Sequence, residues 1–95
     1  MGLPLAATSG RLTGADHKLQ LQKDFPRSLN EGRSLELAGR NGILSPAAQY
    51  QLDCFIMGRG IYEAMQRDGD VMSRCNDTEL LLAELYGELV RNARK

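Results

Sequence analysis

The chain has no tryptophan, one histidine, two cysteines, three prolines and no net charge, its 12 Lys and Arg being matched by 12 Asp and Glu. Each scarcity excludes a class of protein. Cys54 and Cys75 are too few for the disulfide framework of a small secreted domain, so both read as reduced thiols. A zero charge balance lacks the basic excess of proteins that bind free nucleic acid or anionic membranes, and neither is expected as a partner. No stretch approaches the roughly 18 consecutive apolar residues of a membrane span. The start, Met1 to Ala7, lacks the basic head and long apolar core of a signal peptide, and Ala6 stands where myristoylation requires Ser or Thr. Cytoplasmic residence is the expectation.

The same poverty bears on chemistry. A lone His17 and two separated cysteines assemble neither a metal shell nor a nucleophile–base pair, so no enzyme, catalytic residue, metal or cofactor is expected. Asp68, Asp70, Asn76 and Glu79 have the spacing of calcium-loop ligands, but Met72 and Ser73 occupy the places of an oxygen ligand and the turn glycine. Cap and loop chemistry explains those residues better. Gly58-Arg59-Gly60 lies inside a helical pattern and follows no strand, which excludes a phosphate loop or dinucleotide fingerprint.

What is there is one small domain's worth of helix-forming sequence, 95 residues with 42% hydrophobic and 25% charged. Six bases and four acids precede Ser45; six bases and eight acids lie from there to the end. Residues 1–24 are rich in Gly, Ser and Thr without a sustained period and read as a flexible tail, with one helical turn around Lys18 to Gln22. Residues 25–95 read as a small helical domain. Its first helix, Arg27 to Gly39, is short and ends at Gly39-Arg40-Asn41-Gly42. Ser45-Pro46 then combines a capping hydroxyl with a proline that fits the first helical turn, predicting a helix to about Arg67.

Two apolar stripes run along that second helix: Cys54, Met57, Ile61, Ala64 and Met65, and beside it Ala48, Leu52, Phe55 and Tyr62, broken by Arg59. Gly58 and Gly60 each cost roughly 1 kcal/mol against alanine in a continuous helix, so each signals a break, a kink or a close approach. Asn76 or Asp77 caps a third helix to about Arg91, with Glu79 reaching back and Leu81, Leu82, Leu85, Tyr86, Leu89 and Val90 on one face. The fold class is all-α. The last two helices are expected to form an antiparallel hairpin with Leu82, Leu85, Leu89, Phe55, Ile61 and Met65 in its core. Such a hairpin leaves one apolar side open, to be closed by the helix near Leu35, a second copy or another protein.

One stretch resembles a known family. Ser34-Leu35-Glu36-Leu37-Ala38-Gly39, a turn, Ser45-Pro46 and then Phe55-Ile56-Met57-Gly58-Arg59-Gly60-Ile61 look like the small VbhA-type antitoxins that neutralise Fic-domain AMP-transferases. The likeness covers Ser34 to Ile61, and the position of the family's inhibitory glutamate falls on Ala38. An alanine methyl cannot make the charge-assisted bond that such a glutamate makes to an active-site arginine. The resemblance implies a helical regulator that binds a toxin or enzyme partner through Ser34, Leu35, Leu37, Ala38 and Gly39 of the first helix and Phe55, Gly58 and Ile61 of the second, and the apolar face of the third helix adds Leu85 and Leu89 as expected contacts. The other expectation is a phage or mobile-element regulatory or structural protein, self-associating as a four-helix dimer through Leu81, Leu82, Leu85 and Leu89 or binding a host protein.

Overall fold

Local capping chemistry sets where the helices begin. A computed structural model describes residues 14–94, and side chains from Lys18 onward. These residues form α1 (Gly14–Asp24), α2 (Leu29–Arg40), α3 (Pro46–Arg67), a 3₁₀ helix (Gly69–Arg74) and α4 (Asp77–Ala93), with no strand among them. At α3 the Ser45 hydroxyl accepts the Ala48 N–H at 3.2 Å, and Pro46 occupies the first turn. At α4 Asn76 and Glu79 form a reciprocal capping box of 2.8 and 2.9 Å bonds. Asp68 caps the 3₁₀ helix through the Asp70 N–H at 2.9 Å, so the acids at calcium-loop spacing serve helix starts.

The end of α2 is equally explicit. Gly42 adopts φ +69°, its N–H bonds the Gly39 carbonyl, and the Ile43 N–H reaches back to the Ala38 carbonyl. That pair of bonds is a Schellman ending, which needs a residue tolerant of left-handed backbone at the glycine position.

The core joins Leu21 and Phe25, Cys54 and Phe55, and Leu81, Leu82, Leu85, Tyr86 and Leu89, with Leu29, Tyr62 and Val90 packed at its margin. Phe55 sits at its centre, 1% exposed. Its ring meets Tyr86 edge-on at 5.6 Å between centroids and Phe25 at 6.3 Å. Gly32 of α2 lies so close to the ring that a β-carbon there would overlap it. α3 is continuous through both of its central glycines. Gly58 is a close approach to α4: a β-carbon there would stand 2.6 Å from the Leu82 carbonyl oxygen.

Two expectations are corrected. The reading of a tail through Asp24 fails for residues 14–24, which form α1, while its part over residues 1–13 lies outside the described residues, as does the side chain of His17. The physical reason is tertiary: Leu21 and Phe25, one turn apart, are 3% and 4% exposed because α3 and α4 offer them a surface. Ile61 and Met65 are half-buried and stand outside the core cluster, and Met57 is 49% exposed. Of the two stripes on α3, the one through Leu52, Phe55 and Tyr62 faces inward, joined by Cys54. α3 and α4 are the most extensively packed pair, and of the three expected ways to close their open side the structure uses the helix near Leu35, α2, together with α1, which was not expected.

Truncating the hub should be costly. Phe55→Ala is expected to lower unfolding free energy by about 3–5 kcal/mol and Leu85→Ala by about 2–5, measured by urea titration followed by circular dichroism. Losses below about 1 kcal/mol would place these side chains outside a packed interior.

Candidate protein-binding surface

The residues expected to contact a partner divide by depth. Phe55, Gly58, Leu85 and Leu89 are buried in the chain's own core, so they position the surface and do not form it. That corrects their expected role: a side chain already covered by the same chain has no area left to offer a second molecule. Ile61, Leu35, Ala38 and Gly39 are half-buried, whereas Ser34 and Leu37 are exposed.

On α2, Ser34, Leu37 and Ala38 share the side turned away from Gly32, which the helical period predicts. Leu37 is 59% exposed and Ile43, just beyond the Schellman turn, is 72% exposed. The hydrogen bond from Ile43 to the Ala38 carbonyl fixes that residue against the last turn of α2. Two large aliphatic side chains are thus held on a rigid helix end without cover. Ile43 was not singled out from sequence, since a residue after a turn glycine belongs to no helical period; the signal was its place as the apolar residue that follows a Schellman glycine.

Glu36 stands on the other side of α2. Both of its carboxylate oxygens accept from Arg59 of α3 at 2.9 Å, and the Arg59 guanidinium lies 5.5 Å from the centroid of the Phe55 ring. The bond from Arg59 holds the Glu36 carboxyl below its ordinary 4.5, with the charges of Arg59, Arg40 and Arg33 adding to the effect against partial desolvation. This planar, two-bond pairing is the strongest polar link between α2 and α3. It also commits Glu36 to the chain itself.

Two shallow cavities flank α2. One of about 250 Å³ lies between α2 and α3 over Gly39, Leu52 and Ile56, and one of about 440 Å³ lies between its first turn and the end of α4, beside Arg27, Arg33 and Leu89. Neither lining carries a histidine or cysteine. Burial pushes the Cys54 thiol above its ordinary value, and the Cys75 thiol donates to the Val71 carbonyl at 3.2 Å. Among the described residues no group of His, Cys, Asp and Glu is placed to hold a metal ion, and no helix is long and apolar enough to cross a membrane. Compared with protein-family models, curated proteins and solved structures, the chain matches none.

The ion pair gives a pH signature. Because Glu36 is more acidic folded than unfolded, its contribution is complete above the unfolded carboxylate range and is lost as pH falls through the folded value. Glu36→Gln is therefore expected to cost about 1 kcal/mol at neutral pH, and the gap from wild type should close on acidification. Parallel urea titrations at neutral and acid pH measure this; a gap independent of pH would assign the loss to packing.

Proposed function

We propose that this chain is a small helical protein-binding regulator that acts by occupying a partner protein through the outer face of α2 and the turn after it. The observation that carries the reading is the uncovered pair Leu37 and Ile43, held on a helix end within the segment that resembles the VbhA-type antitoxins. Exposed aliphatic side chains on a rigid element are the usual anchors of a helix that docks in a groove. By that resemblance the partner is a Fic-domain AMP-transferase, met in the cytoplasm. Ser34, Leu37 and Ala38 lie at the contact, and the chain itself performs no catalysis.

The self-associating alternative built on Leu81, Leu82, Leu85 and Leu89 is less well supported, since these side chains are already spent within one copy. A four-helix dimer through that row requires α1 and α3 to move aside.

The mismatch at Ala38 makes the proposal testable. Mixed with a Fic-domain AMP-transferase, the wild-type chain is expected to bind while inhibiting AMP transfer weakly. Ala38→Glu should then deepen inhibition at least tenfold with affinity nearly unchanged, because one added ion pair near a phosphate site alters nucleotide placement more than it alters a broad interface. Leu37→Asp and Ile43→Asp should each weaken binding by about tenfold or more with helicity intact. Titration calorimetry and AMP-transfer assays read both; no binding by the wild type and no effect of Ala38→Glu would remove the Fic-type reading.

A further inference from the structure

We propose that the solvent face of α3 is a two-fold interface for a second copy of this chain, the two α3 helices running antiparallel with the axis at Gly60. α1, α2 and α4 cover the rest of the core, yet α3 keeps an apolar strip open: Ile56 is 43% exposed and Met57 is 49% exposed. Gly60 is exposed and Ala64 is half-buried on the same face. A β-carbon at Gly58 would meet the Leu82 carbonyl, so that glycine has its reason within the chain. Gly60 has none, since nothing lies within 4 Å of where its β-carbon would stand. A glycine in mid-helix with open space beside it suits a backbone that another helix approaches closely.

Charge selects the occupant and its direction. Asp53 and Arg67 are exposed on this face, seven residues either side of Gly60. Among the described residues Arg67 makes no ion pair, and Asp53 accepts only from Gln49, at 3.0 Å. A two-fold axis through Gly60 brings Asp53 opposite Arg67 of the second copy, and does so twice because the contact is isologous. The same axis sets Met57 on Ala64, large against small, and Ile56 beside the stem of Glu63, so no like charges meet. A parallel pairing in register would oppose Asp53 to Asp53 and Arg67 to Arg67, which is repulsive. The surface thus complements itself in one orientation, and it is distinct from the outer face of α2.

Sedimentation of the full chain under reducing conditions, from micromolar to millimolar concentration, tests the proposal. A reversible dimer is expected. Asp53→Arg and Arg67→Asp should each raise its dissociation constant about tenfold or more, and the double variant should return it to within about threefold of wild type. Helicity and melting temperature of each monomer report that these exposed substitutions leave the fold intact. In a Cys75→Ser background, Gly60→Cys should oxidise to a symmetric disulfide-linked dimer, which only a close approach at the axis permits. A chain monomeric throughout, a dimer indifferent to the single reversals, or a double variant that fails to recover would each overturn the proposal.

Discussion

The Phe55 ring is the contact on which the other elements depend. Phe25 reaches it from the end of α1, Gly32 from α2, Tyr86 from α4 and the Arg59 guanidinium from one turn further along α3. A chain of this size has little apolar area to distribute, so a single aromatic side chain met from the end of α1, from α2 and from α4 does the work that separate layers do in a larger domain. The arrangement also explains why α2 can be short. Twelve residues are marginal as an isolated helix, but a glycine seated on an aromatic ring and a two-bond ion pair hold α2 in place from both sides.

What could be read from sequence was the chemistry that is complete within a few residues. Ser45-Pro46 and the Asn76 and Glu79 box announce their helices because each cap is closed by a backbone group three positions away. α1 could not be read in that way. Its reason to be helical is the burial of Leu21 and Phe25 against helices that begin more than twenty residues later, and no local pattern around Gly14 carries that information. Likewise the three-and-four spacing of α3 offered two stripes of similar width, and the choice between them is made by what packs alongside. Leu52, Phe55 and Tyr62 turn inward while Met57 stays in water.

The candidate surface shows the same division. Of the residues that the resemblance marked on α2, Ser34, Leu37 and Ala38 share its outer side. Resemblance to a motif also drew in Phe55 and Gly58, and the apolar row of the last helix drew in Leu85 and Leu89, but neither a motif nor a row says whether a face is left over for a partner. All four are interior. Ile43 went unnoticed because its position depends on the left-handed turn at Gly42, a backbone property that apolar spacing does not encode.

Gly58-Arg59-Gly60 brings these strands of argument to one place. Successive residues on an α-helix step by about 100°, so three in a row address three directions. Gly58 lets the α4 backbone approach, Arg59 turns aside to bind Glu36 of α2, and Gly60 meets solvent. In sequence the two glycines look equivalent, each an unfavourable residue in the middle of a helix. In the folded chain only one of them is compensated, by the packing of Leu82. On its open side the helix accepts the same cost again, at a glycine that stands between an aspartate and an arginine, and no packing or opposite charge within the described chain offsets it.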